Sequence, residues 1–342
     1  MPLPAEASLP QQPTSNYLLL IGMLMTRFNR SSYSSYSPSK RRSLLQTLQK
    51  FGLLRLRSIP TALSVSLVII AILGALFVHP AQAFLAQVNP TTAAQGDTIT
   101  VSVRSDTDNA NLQVKFGSKT YPAFKMGPNQ YRALLPTTPL DAPGPRTIQV
   151  SDGSTPQQFQ VTVKKRWFPT QSIWLPPGKD SNSDEYEFDR VDAFKAIVSP
   201  QKYWSGPLTR PNGGEITTIY GVRRYYNGVF ANDYFHRGVD YAGAYGSPVY
   251  AAAAGKVALV GREAQRFKVH GNCIGIDHGQ GVATMYLHLS RIDVKEGDFV
   301  KAGQVIGALG NSGASTGPHL HWGLYVFGQS VDPVPWRTKG FN

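Results

Sequence analysis

Cysteine is almost absent from this 342-residue chain: Cys273 is the only one. An intrachain disulfide and a Cys-rich structural metal site are therefore excluded, and cysteine usage is silent about redox compartment. Charged residues are sparse at 16 %, and no long amphipathic helical run follows residue 84. With 32 Gly and 25 Pro, that scarcity favours turn-rich β structure. The net charge is +13, yet there is no dense basic stripe with interleaved aromatics and no nucleic-acid-binding motif, so nucleic acid is disfavoured as a partner. Acidic residues are missing altogether from residues 26 to 57.

That basic, Ser-rich stretch leads into Thr61 to Val78, an uncharged apolar run, and then Ala81-Gln-Ala83. A basic approach, an apolar core and a small-x-small site predict a secretory signal peptide cleaved after Ala83. The length of the run also permits an uncleaved inner-membrane anchor, in which case residues 61–78 are the membrane contact. Residues 1–83 carry 8 Lys/Arg and 1 Asp/Glu, and the remainder 26 and 20. About half of the net charge would thus leave with the leader.

Residues 84–165 read as a small β domain. TITVSVRS, LQVKFG, YRALLP, TIQVSD and FQVTVKK mostly alternate apolar and polar residues between Gly, Pro, Asn and Asp clusters, as strands of a sandwich do. The spacing is similar to that of an immunoglobulin-like β-sandwich without the Cys pair of antibody domains. Such a module is a spacer, or binds glycan, docks a partner or covers a site. Residues 166–212, with Pro169, Pro176, Pro177 and the stretch GKDSNSDEYEFD, have a linker's composition. Within them, Ser183 to Val198 predicts at most one short helix, on Phe188, Val191, Phe194, Ile197 and Val198.

The last third, residues 213–335, holds the chemistry. His236, Asp240, His288, His319 and His321 lie in FHRGVDYA, ATMYLHLS and TGPHLHWGL. On an extended strand, residues two apart share a face. His319 and His321 therefore project together, as do His236, Gly238 and Asp240, with Gly238 expected to leave space for an ion. Leu320 should point into the core. A catalytic zinc takes three His or carboxylate ligands and keeps one position for water. Three ligands from His236, Asp240 and one member of the His-Leu-His pair leave His288 and the other histidine for proton transfer, the combination that amide hydrolysis at neutral pH requires. His79, His270 and His278 read as ordinary surface or core histidines, His278 in a turn of the Asp-His-Gly-Gln-Gly segment.

Together with GSPVYAAAAGKV, GNCIGIDHGQGVATMYLHLS and VKEGDFVKAGQVIGALGNSG, these segments resemble the M23, or LytM/lysostaphin-type, zinc metallopeptidases. The resemblance covers roughly Gly213 to Pro333. It implies a largely antiparallel β domain of the barrel-sandwich-like LytM fold, with one zinc per chain on His236, Asp240 and His321 and with His288 and His319 as the catalytic pair. It also implies an endopeptidase that cuts peptidoglycan stem-peptide cross-links, at D-alanyl-diaminopimelate bonds or at glycine bridges. Such an enzyme would be exported to the periplasm or cell wall, and its N-terminal β domain would be available to wall or division proteins. Family members that have lost ligands act as regulators of other wall hydrolases. No ligand is missing here, which favours the enzyme over a non-catalytic wall-binding regulator. The aromatics Tyr225, Tyr226, Tyr234 and Phe235, beside the first ligand, are expected to line the substrate groove.

Overall fold

The computed structural model describes residues 84–108, 111–153, 156–174 and 184–341. The leader, the apolar run at 61–78 and the expected cleavage after Ala83 lie outside the described residues. Among those described, no helix is long and apolar enough to cross a membrane. The described residues form one compact unit, mostly of β-strands.

Period-two patterning builds its N-terminal part. In Thr98–Ser105 the side chains of Ile99, Val101 and Val103 are buried, while Ser102 and Arg104 face out. This strand lies between Phe84–Asn89 and Gln130–Pro136 in a four-stranded sheet. A five-stranded sheet contains Gln113–Phe116, Gly144–Ser151 and Gln157–Lys164. The two meet through one apolar core in which Val101, Ala133 and Leu135 join Val114, Ile148 and Val161, the arrangement of a β-sandwich.

Gln130–Pro136 is buried on both faces because its outer face carries the C-terminal part. Leu134 enters the C-terminal core. Arg132 donates to Gln280 Oε1 at 2.7 Å and to the Phe341 carbonyl at 3.0 Å, and its guanidinium lies 5.1 Å from the Trp204 ring centre.

The C-terminal part is an eight-stranded antiparallel sheet. Its central order runs Gly238–Ala242, His319–Val326, Val282–Leu287, Cys273–Gly279, Gly255–Gly261. One face, with Val239, Tyr241, Leu320, Trp322, Leu324 and Tyr286, packs against a smaller sheet of Pro248–Tyr250, Val305–Leu309 and Leu289–Ile292. Leu320 is 0 % exposed, so Leu320→Ala should lower unfolding free energy by about 2–5 kcal/mol with little effect on zinc content, as read from urea denaturation and metal analysis.

The segment with a linker's composition is packed in its described part. Thr170–Ile173 adds a parallel strand to Arg223–Tyr226, Trp204 and Leu208 enter the main core, and Glu185–Lys195 is a helix whose N-terminus is capped by Asp184. Its buried residues are Glu187, Val191 and Phe194. Val191 and Phe194 share a cluster with Met285, Leu287 and Tyr325. The helix ends before Ile197 and Val198, and Phe188 stays partly exposed. A buried glutamate interrupts the apolar stripe, so hydropathy alone underrates this helix.

Candidate metal centre and active site

Two strands and a tight turn assemble the site. Gly238–Ala242 and His319–Val326 pair antiparallel with Asp240 opposite His321, so both side chains emerge on one face. His236 precedes the first strand. Its backbone is held by Val222 O at 2.8 Å and by the Gly221 N–H at 2.9 Å. The role expected of Gly238 differs in detail. A Cβ there would lie 2.8 Å from His321 Nε2 and closer still to the Trp322 carbonyl, so the glycine makes room for the His321 ring and the neighbouring strand rather than for an ion.

Three donor atoms converge among buried groups. His236 Nε2 is 3.0 Å from Asp240 Oδ1 and 2.9 Å from His321 Nδ1, which is 2.9 Å from the same Asp240 oxygen. His236 Nδ1 donates to Ile219 O at 2.9 Å, which places the ring's proton there and turns a lone pair toward the other two atoms. A carboxylate oxygen and two imidazole nitrogens cannot all be satisfied by the single proton His321 could supply, whereas a cation between them satisfies all three. The triangle is slightly tighter than the face of a tetrahedron with bonds of about 2.0 Å, the length usual for zinc to histidine. Burial opposes ionisation of Asp240, but the adjacent His236 and His321 rings outweigh it and hold the carboxyl well below its ordinary range. Burial keeps His321 neutral down to about pH 4. The cluster thus fits a metal site.

His288 and His319 stand beside it, with ring centres 4.7 Å apart. His288 lies between Val282–Leu287 and Leu289–Ile292 with φ 63°, a left-handed conformation that a non-glycine residue adopts only where its surroundings impose it. Its Nδ1 donates to Ser312 O at 2.8 Å, and His319 Nδ1 donates to Gly317 O at 2.8 Å. Each ring is thereby left with its Nε2 lone pair free. His319 Nε2 lies 4.0 Å from Asp240 Oδ1. Burial, then the neighbouring His319 and His321, bring the His288 pKa down to about 3, so it is an unprotonated acceptor at neutral pH. The structure therefore brings all five sequence-derived residues together. Sequence patterning gave no sign of the Ser312 and Gly317 carbonyls or of the left-handed backbone at His288.

The remaining described histidines are elsewhere. His278 is on a strand rather than in a turn, 0 % exposed, with Nδ1 2.8 Å from Ala254 O and Nε2 2.8 Å from Thr284 Oγ1. Burial lowers its pKa to about 4. The unfolded chain binds this proton near pH 6.5 and the folded one does not, so stability should fall with pH between about 6.5 and 4, by up to about 1.4 kcal/mol per pH unit for this residue. A His278→Gln variant should show a shallower fall in its urea midpoint across that window. His270 pairs with Glu187.

Of the aromatics expected along the groove, Phe235 is a core residue packed on Tyr220 at 5.6 Å. Tyr226 and Tyr234 meet edge to face at 5.8 Å, and both hydroxyls accept from Arg224. Tyr225 is partly exposed. The sandwich's Tyr121 and Phe124 rings contact Phe327, just beyond the His319–Val326 strand, and its Thr138 and Leu140 line a cavity with Phe235, Arg237 and His270. Six residues of extended chain, roughly 20 Å, separate Phe327 from His321.

Residues 234–333 match the family model for peptidase family M23. The chain is 46 % identical over 99 residues to the DD-carboxypeptidase/endopeptidase Mpg of Neisseria meningitidis serogroup B, a stretch covering 29 % of this chain and 22 % of that protein. It is 42 % identical over 129 residues to lysostaphin of Staphylococcus staphylolyticus, covering 36 % of this chain and 26 % of that protein. The matched stretches therefore span about a quarter or less of these relatives. A crystal structure of a putative M23 peptidase from Pseudomonas aeruginosa superposes with a TM-score of 0.55 at 25 % identity, covering 73 % of this chain and 96 % of that one.

Proposed function

Because residues 234–333 match the model of peptidase family M23, we propose that the chain is a zinc-dependent endopeptidase that hydrolyses peptide cross-links in peptidoglycan, at the D-alanyl-diaminopimelate bond. The observation that carries this reading is the complete constellation: three mutually adjacent metal-binding atoms flanked by two imidazoles whose Nδ1 protons are held on backbone carbonyls. The similarity to Mpg, a DD-carboxypeptidase/endopeptidase, supports the DD bond over the glycine bridge. Export past the inner membrane belongs to the same reading, through the basic leader and residues 61–78.

Zinc on His236, Asp240 and His321 would supply Lewis acidity and lower the pKa of a water molecule. The chain's own residues do the rest. The free Nε2 of His288 or His319 accepts the proton of the attacking water. The imidazolium formed keeps its Nδ1–H on the carbonyl and so presents its new Nε2–H outward, to the oxyanion or to the departing amine. In this reading Tyr225 and Tyr226, on the Arg223–Tyr226 strand, line the substrate peptide. Tyr225→Ala with Tyr226→Ala should raise KM for cross-linked fragments several-fold while kcat and zinc content hold; an unchanged KM in the folded variant removes that role.

The test uses residues 84–342 with purified sacculi, with and without a zinc chelator, and mass analysis of the products. Chelator-sensitive release with new diaminopimelate amine ends is expected. Zinc-loaded protein that releases no muropeptide would reject the enzymatic reading.

A further inference from the structure

Glu187 is a buried acid without a place in the metal site. It is 0 % exposed and comes from the Glu185–Lys195 helix, outside the stretch that matches the family model. Its carboxylate accepts the backbone N–H groups of Lys268 at 2.7 Å, Val269 at 2.9 Å and His270 at 2.6 Å, and pairs with His270 Nδ1 at 2.6 Å. A buried carboxylate is unfavourable unless so satisfied. Burial pushes its pKa up, but the His270 ring and the backbone donors of His270 and Val269 outweigh it and leave the carboxyl ionised below its usual range.

What the carboxylate gathers is the support of His288. The His270 carbonyl accepts from His288 N at 3.1 Å, and the Asn272 carbonyl accepts from Leu289 N at 2.9 Å. Asn272 Nδ2 donates to Leu289 O at 3.0 Å. Asn272 N donates to Ser312 Oγ at 2.9 Å, and Val269 O accepts from Ala314 N at 3.0 Å. Ser312 in turn presents the carbonyl that holds His288 Nδ1. Residues 268–272 therefore carry both the left-handed backbone of His288 and the segment that orients its ring, and Glu187 ties that loop to the helix that packs on the sheet.

We propose that Glu187 is a positioning residue for the hydrolysis: its carboxylate, delivered by the accessory helix, fixes loop 268–272 and through it the ring orientation and tautomer of His288. This inference rests on His288 being the proton-accepting histidine or its partner. A misplacement of about 1 Å at such a group can cost about 100-fold in rate. Glu187→Gln keeps the size but offers an amide NH2 where the loop presents N–H donors, so the chelate opens.

The experiment uses residues 84–342, metal-free and zinc-loaded. Expected for Glu187→Gln are retained circular dichroism and zinc content, an unchanged KM, a kcat lowered by about 10- to 100-fold, and a shifted or exchange-broadened His288 Nδ1–H resonance in ¹⁵N-edited NMR of both forms. Val191→Ala loosens the same helix but leaves the carboxylate in place, and should lower the melting temperature without moving that resonance or kcat. If Glu187→Gln does not fold, Glu187→Asp, too short to span the loop, is read by the same criteria. A folded Glu187 variant with the wild-type His288 resonance and kcat overturns the proposal, as does an equal loss in Val191→Ala. Were the wild type inactive on sacculi, the enzymatic reading would fail, while the resonance would still report whether Glu187 positions His288.

Discussion

His321→Ala is expected to abolish zinc binding and muropeptide release together. His321 Nδ1 closes a triangle whose other corners are His236 Nε2 and Asp240 Oδ1. Removing it leaves two donors, too few for a catalytic zinc. The fall in affinity should exceed the roughly 10- to 100-fold typical of losing an outer-shell partner. A readout independent of activity is available: saturating zinc at about 1,000 times Kd stabilises the folded state by about 4 kcal/mol. That gain should appear as a raised melting temperature in wild type and vanish in the variant. Retained stoichiometric zinc in folded His321→Ala would remove His321 from the ligand set.

His288→Ala should separate chemistry from metal binding. The ring's Nδ1 is bound to Ser312 O, away from the donor triangle, so zinc content and the zinc-dependent rise in melting temperature should persist. Loss of a positioned proton acceptor should lower kcat by about 10²- to 10⁴-fold. The substitution also relieves one buried, hard-to-protonate imidazole. The unfolded state then no longer binds an extra proton there, so the metal-free variant should lose less stability than wild type as pH falls below about 6.5. A variant with wild-type kcat would show that His319 suffices.

Local pattern made much of the C-terminal site legible. His-Leu-His and His-x-x-x-Asp in glycine-rich strand contexts place their polar side chains on one face because the side-chain period of a strand is two. The same period sends Leu320, Val239 and Tyr241 into the core, where they are buried. The alternation of Thr98–Ser105 likewise marks a buried and an exposed face. Composition misdescribed the described parts of residues 166–212, because acidic residues register as solvent-loving whatever they touch. Glu187 shows why that inference is weak: its charge is satisfied by the backbone of a loop some eighty positions later, and period carries no trace of such a partner.

By itself, then, the sequence determined the chemical inventory of this protein: a β-rich chain with one cysteine and five His and Asp residues spaced to converge as a metal and proton-transfer set. The tertiary structure decided which atoms of those rings are free. The Ile219, Ser312 and Gly317 carbonyls each engage a histidine Nδ1, and the left-handed turn at His288 aims its ring beside His319. It also decided that the sandwich packs its Tyr121 ring against Phe327. The physical reason is range. Side-chain period acts over a few residues, whereas a ring's tautomer depends on whichever carbonyl the fold brings to hydrogen-bonding distance.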